Sequence, residues 1–145
     1  MTEVLVDAYE FGCALSDRIR RWRRLTDESI SQLGLTLGEF RVLRVLSESG
    51  PTSMVDLARE QMITQAAMTS IVDDLEELKL VERMRNEADR RIIRVEITTR
   101  GLEEVKKGSR LYKKFIEKAT QDLTPNEKRD LLATLDHMLE AGEGA

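Results

Sequence analysis

A chain of 145 residues, 41% hydrophobic and 34% charged, is long enough for a domain with a real core and has the composition of a soluble helical protein. Aromatic residues make up only 4%, so that core must be aliphatic and methionine-based. No apolar run approaches the roughly 20 residues of a membrane span, MTEVLVDAYEF lacks the basic-then-apolar order of a secretory signal, and the single Cys13 excludes an intramolecular disulfide and suits a reducing cytoplasm. A net charge of −4 argues against indiscriminate binding to polyanions, yet the charge is unevenly placed. Lys79–Arg100 holds seven basic against four acidic residues, and Asp122–Ala145 six acidic against two basic. A nucleic-acid footprint is local, so the local sign decides.

Apolar positions Leu5, Ala8, Gly12, Leu15, Ile19 and Trp22, resumed at Ile30 and Leu33, follow helical spacing and predict one long helix over 3–33, closed by Gly34. Such a helix is too long to fold back within so small a core, so part of its stripe is expected to pack on another subunit. The basic run Arg18, Arg20, Arg21, Arg23, Arg24 wraps around it and reads as a solvated face or ion-pair partners rather than a second nucleic-acid site. Thr36 with Glu39 forms a capping box for a short helix carrying Phe40, Val42, Leu43, Val45 and Leu46. Ser49-Gly50-Pro51 is a turn. Ser53 and Asp56 start a helix from Met54 to about Gln61, with Val55, Leu57 and Ala58 as its apolar side. Thr64 caps the next helix, 65–78, whose Met68, Ile71, Val72, Leu75 and Leu78 point to the core. Alternation then marks two strands around the turn Asn86-Glu87-Ala88-Asp89, the second exposing Arg94 and Glu96 between Ile93, Val95 and Ile97. Thr98 or Thr99 caps a helix from about Leu102 to Thr120. Thr124-Pro125-Asn126-Glu127 caps the last one, with Leu131, Leu132, Leu135, Met138 and Leu139, and Gly142–Ala145 should fray.

Two short helices joined by a tight turn at Ile63-Thr64, then a basic hairpin, have the layout of a winged helix-turn-helix. The outer face of 65–78 carries the short side chains Gln65, Ala66, Thr69 and Ser70. Gln65 can bond an adenine edge twice, Thr69 and Ser70 can bond bases or phosphates, and Ala66 can touch a thymine methyl. Thr64 leaves N–H groups at a helix start that suit a phosphate. Asp73, on the same face, would repel a phosphate, so contact is expected to stop before it. In the hairpin, Arg85 lies on the first strand and Asp89-Arg90-Arg91 at the tip. Adjacent arginines repel unless something negative receives them, and the narrow minor groove of A·T-rich DNA does so. Asp89 is placed to aim an arginine. A plain surface ion pair is the blander reading.

On these residues the chain resembles the MarR family of bacterial and archaeal transcription regulators. Leu57-Ala58, Leu75-Glu76, Val81-Glu82-Arg83, Asp89-Arg90-Arg91 and Thr98-Thr99-Arg100-Gly101 follow the family's order and spacing over essentially the whole chain. The resemblance implies a mainly α fold with a small β-hairpin wing, a single domain 1–145, a DNA-binding lobe over 36–100 and dimerisation helices over 3–33 and 102–141. It implies a homodimer on a palindromic operator, helix 65–78 in the major groove and wing 82–98 in the minor groove, expected to repress. By position, Arg91 would enter the minor groove, Asp89 would orient it, and Gln65, Ala67 and Thr69 would face the major groove. Lys79 stands where relatives usually have Gly. A left-handed backbone there would strain a lysine, so the turn into the wing is expected to differ locally.

Relatives commonly answer to small anionic aromatic effectors bound where dimerisation helices meet the reading head. Arg18, Trp22 and Phe40 are candidate lining residues. One branch senses peroxides through a cysteine in its first helix. Cys13 is in that helix, but neither Tyr9 nor Tyr112 is placed like that branch's partner tyrosines, and a lone helical cysteine is most often a small buried apolar residue. The alternatives are therefore a winged-helix protein–protein module without base reading, or a Cys13-based redox-sensing repressor. One histidine, His137, and no cluster at metal-ligand spacing leave nothing that suggests an enzyme, a metal or a cofactor.

Overall fold

The computed structural model describes residues 7–145, so the expected helix start at 3–6, with Leu5, lies outside the described residues. Helix α1 spans Ala8–Ser29, and the Asp7 carboxylate accepts the Glu10 N–H at 2.9 Å to cap it. It does not run on to residue 33. Ile30 leaves helical geometry, Ser31–Leu33 forms a 3₁₀ turn, and Gly34 at φ +72° closes that turn rather than the long helix. Local polar groups cause the break: the Ser29 and Ser31 hydroxyls donate to the Thr26 and Glu28 carbonyls three residues back. The Asp27 carboxylate then accepts the Leu37 N–H at 2.8 Å, folding the chain back on itself.

Helix α2, Leu37–Ser49, begins at the expected capping box: Thr36 accepts the Glu39 N–H at 3.2 Å, and Glu39 accepts the Thr36 N–H at 2.8 Å. A two-residue strand β1, Thr52–Ser53, follows the Gly50-Pro51 turn and was not expected. Helix α3 spans Met54–Glu60, capped by Ser53, and α4 spans Gln65–Glu77, capped by Thr64. Strands β2, Val81–Arg85, and β3, Ile93–Ile97, pair antiparallel with Arg83 opposite Val95, and β1 adds to the far edge of β3 to give the order β1-β3-β2.

The core lies between α2, α3, α4 and the sheet. Val42, Leu43, Leu46, Leu57, Met68, Val72, Leu75, Val81 and Val95 are all fully or nearly fully buried. Each such side chain contributes about 1.5–3 kcal/mol. Two expected core residues are exposed instead, Val55 and Leu78. Helix α3 is short and meets the core through Leu57 and Ala58, with Met54 at the edge. Leu78 is already the cap of α4, where the chain turns away from the core.

Helix α5 spans Thr99–Ala119, three residues earlier than expected, because Thr98 accepts the Gly101 N–H at 3.1 Å while donating to the Lys79 carbonyl at 2.8 Å. A side chain at Gly101 would meet the Leu80 carbonyl and Ile97, and one at Gly108 would meet the Phe40 ring. The chain forms two compact units that divide after Tyr112. The second holds the end of α5 and all of α6, Pro125–Glu143, which starts at the expected Thr124/Glu127 box with Pro125 in its first turn. This helix runs through Gly142, which was expected to fray. No described helix is long and apolar enough to cross a membrane.

Candidate nucleic-acid interface

The turn between α3 and α4 is held by the Met62 N–H on the Arg59 carbonyl and the Ile63 N–H on the Ala58 carbonyl, both at 3.1 Å. Met62 takes a left-handed backbone, φ +54°, with its side chain in solvent. Thr64 accepts the Ala67 N–H at 3.1 Å, which leaves the N–H groups of Gln65 and Ala66 at the open end of the helix. Gln65, Ala66, Ala67, Thr69 and Ser70 are all exposed, while Met68, Val72 and Leu75 face inward. The Thr69 hydroxyl donates to the Gln65 carbonyl at 2.9 Å, so it offers a partner its oxygen and its methyl group.

At the wing tip, Asn86 and Ile92 close the loop through the Asn86 N–H on the Ile92 carbonyl at 3.0 Å. Asp89 grips Arg91 three times: its Oδ1 accepts the Arg91 backbone N–H and Nε at 3.1 Å each, and its Oδ2 accepts an outer guanidinium nitrogen at 3.2 Å. Those bonds, the side-chain pair first, hold the Asp89 carboxyl below the usual carboxylate range. Arg91 is thereby aimed while its side chain stays 91% exposed. Arg90 is exposed beside it, and Arg85 donates to the Arg90 carbonyl at 3.0 Å, so Arg85 braces the tip.

Two sequence expectations change here. The turn into the wing keeps its left-handed residue: Lys79 adopts φ +62°. The Leu80 N–H on the Leu75 carbonyl and the Lys79 N–H on the Glu76 carbonyl, both at 2.9 Å, impose it by satisfying the end of α4. Asp73 does not stand on the reading face as an isolated repelling charge. It accepts the Arg83 guanidinium at 2.5 Å, and Glu76 accepts the same side chain at 2.9 Å. Sequence reading gave Arg83 only a place in a motif, because partners seven to fourteen residues away become visible only when the hairpin folds against the helix.

A cleft of about 500 Å³ opens between α4 and the wing, with Gln65, Thr69, Arg83 and Arg91 on its walls and Met54 and Ile93 among its apolar lining. Of the sequence-predicted residues, Gln65 and Thr69 share this concavity with the aimed Arg91, whereas Thr64, Ala66 and Ser70 lie outside its lining and Arg85 and Arg90 line a separate depression at the wing tip. Phe40 lines a separate cleft of about 200 Å³ with Thr26, Leu37, Arg41, Arg44 and Tyr112. Arg18 and Trp22 lie outside that lining, and Arg18 donates to the Ala14 carbonyl of its own helix at 3.0 Å. Cys13 is exposed, contrary to the usual burial of a helical cysteine, in a shallow depression with Tyr9, Ser16 and Arg20.

A family model described as MarR family matches residues 33–92, from the 3₁₀ turn to the wing. A transcriptional repressor of the helix-turn-helix type from Mycobacterium tuberculosis is 30% identical over 110 residues, 76% of this chain and 79% of that protein. The chain belongs to the MarR family. Its solved likenesses include a mutant MarR from Escherichia coli complexed with operator DNA, with TM-score 0.76 and 26% identity over 94% of this chain and 98% of that one. Bordetella bronchiseptica BpsR, whose DNA binding is regulated by 6-hydroxynicotinic acid, matches with TM-score 0.79 and 26% identity over 88% and 91% of the two chains. The helices flanking α3, α4 and the β2–β3 wing complete the winged helix-turn-helix of a MarR-family regulator. The MarR family is one of DNA-binding transcription regulators, not enzymes.

Proposed function

We propose that this MarR-family chain is a homodimeric, sequence-specific repressor of the cytoplasm that reads a palindromic operator. The observation carrying this reading is the shared cleft: α4 offers Gln65, Thr69 and its neighbours Ala66 and Ser70, and the wing offers an Asp89-aimed Arg91 opposite. A helix with short polar residues at its open end fits the major groove, and an extended arginine beside it fits the minor groove. Thr64 and the first N–H groups of α4 would take a phosphate, with Arg90 adding charge at the tip. The apolar side chains left exposed on α1, Phe11, Ile19, Trp22 and Leu25, and separately on α6, supply surface for a second copy of the chain.

The Phe40 cleft is the better candidate for an effector site than the Arg18–Trp22 surface. An aromatic wall, two guanidinium-bearing residues, Arg41 and Arg44, and the hydroxyls of Tyr112 and Thr26 suit a small anionic aromatic compound. The 6-hydroxynicotinic acid that regulates DNA binding by BpsR belongs to that chemical class and supports the reading. Such a compound acts only if it binds one arrangement of the reading heads better than another.

The test is binding to the DNA upstream of the protein's own gene, against a scrambled fragment, at two salt concentrations, for the wild type and Arg91→Ala. A preference that weakens in Arg91→Ala supports the repressor with its reading wing. Absence of binding to any genomic fragment would remove it in favour of a protein-interaction module.

A further inference from the structure

We propose that Arg83 is a positioning residue that locks the wing to the reading helix and so fixes where Arg91 stands relative to Gln65 and Thr69. This inference rests on the DNA-binding reading above. Arg83 belongs to β2, yet its backbone N–H and both outer guanidinium nitrogens are spent on α4. Its backbone N–H donates to one Glu76 oxygen at 3.1 Å and its guanidinium to the other at 2.9 Å. A second guanidinium nitrogen donates to Asp73 at 2.5 Å and to the Thr69 carbonyl at 3.4 Å. Residues 69, 73 and 76 are spaced four and three apart, so they line one face of α4, and Arg83 lies along that face.

An isolated surface ion pair would contribute little. This one differs in three ways. The Arg83 side chain is only 23% exposed. It engages two carboxylates and a carbonyl through two separate nitrogens of one planar fork, a spread that the single nitrogen of an ammonium lacks. It also joins two elements, with Arg83 opposite Val95 in the register, so holding Arg83 holds both strands of the hairpin whose tip carries Arg91. Thr69, one of the three acceptors, is itself a reading residue, so the lock closes on the part of α4 that faces the cleft. Asp73 and Glu76 would otherwise present two negative charges toward approaching phosphates, and Arg83 offsets part of that charge. Because its outer nitrogens already point into α4, Arg83 acts through the wing rather than by touching DNA.

The experiment compares wild type, Arg83→Lys, Glu76→Gln and the double variant in two ways. Amide hydrogen exchange over residues 85–92 is followed in the DNA-free protein. Binding to the best genomic fragment and to a scrambled one is measured across a salt series. The lock predicts faster wing exchange and a loss of about tenfold in preference for the specific fragment, with the salt slope unchanged since no phosphate contact is lost. Glu76→Gln should reproduce Arg83→Lys, and the double variant should add little beyond either. Should Arg83→Lys fail to fold, Glu76→Gln carries both readouts alone. Unchanged wing exchange would overturn the proposal. So would a uniform loss on both fragments with the salt slope reduced by about one, the mark of a phosphate contact. If the wild type prefers no DNA at all, the DNA-binding reading fails, and the exchange data still decide separately whether Arg83 holds the wing.

Discussion

Helices α4 and α6 are both amphipathic, and the chain treats them oppositely. The inner side chains Met68, Val72 and Leu75 of α4 are completely buried. On α6, Leu131, Leu132 and Leu139 remain 55%, 62% and 59% exposed, and no residue of that helix is buried. The polar face of α4 is also organised, with Asp73 and Glu76 tied to the wing through Arg83. The reading head therefore completes its packing within one chain, whereas the apolar stripe of α6 needs something else to cover it. Stability and specificity within the head are set by single-chain contacts. If a second copy covers that stripe, as proposed, the state of α6 depends on concentration.

The contrast can be broken most sharply from the side of the head. Leu75→Ala should cost about 2–5 kcal/mol, read as a lowered midpoint in urea unfolding, because the cavity lies in packing that the single chain supplies. Leu132→Glu should act on the other half alone. It should weaken self-association by about tenfold or more in sedimentation velocity, while near-ultraviolet circular dichroism and amide exchange within the reading head stay as in wild type. If Leu132→Glu leaves the assembly intact, the stripe on α6 is not what a partner covers.

Two smaller effects sharpen the picture inside the head. Lys79 holds a left-handed backbone at φ +62°. Glycine there removes a strain of about 1 kcal/mol and adds a somewhat smaller unfolded-state entropy cost, so Lys79→Gly should stabilise by roughly 0.5 kcal/mol in chemical unfolding. A destabilised Lys79→Gly would show that the lysine side chain has a use at this turn. The smallest effect is a pH dependence at the wing tip. Arg91 holds the Asp89 carboxyl below its ordinary range. A depressed carboxylate contributes above its ordinary value and loses that contribution as pH falls through the lowered one. The Arg91 Nε–H resonance should therefore stay constant from neutral pH down to the usual carboxylate range, and shift toward that of free arginine only below it. A shift already under way near neutral pH would mean that Asp89 does not aim Arg91.

Much of this was legible in the sequence wherever the signal is local. The capping boxes at Thr36/Glu39 and Thr124/Glu127 are fixed by residues three apart, and both form as read. The periodicity of α4 placed Met68, Val72 and Leu75 inward because a helix repeats on the same chain. The aiming of Arg91 by Asp89 needed only two residues of separation. What escaped reading involves breaks that keep the pattern, or partners far apart. Ile30 and Leu33 stay in apolar register across the 3₁₀ turn, so spacing alone gives no sign that α1 has stopped. A strand of two residues, Thr52–Ser53, is too short to alternate and exists because β3 has a free edge. Asp73 looked like a repelling outer charge because nothing local shows that Arg83 will fold over it. The cleft proposed for an effector joins Thr26, Phe40 and Tyr112, which no spacing rule connects.

The central claim is that two copies of this chain read DNA with α4 and the wing. Genomic fragments retained by the protein should be selected, and the tightest one footprinted with hydroxyl radicals. The account predicts a two-fold symmetric footprint with half-site centres about one helical turn, roughly 10 bp, apart, and minor-groove protection that disappears in Arg91→Ala. Selection that yields no fragment at either low or moderate salt, or a footprint unchanged by Arg91→Ala, would contradict it.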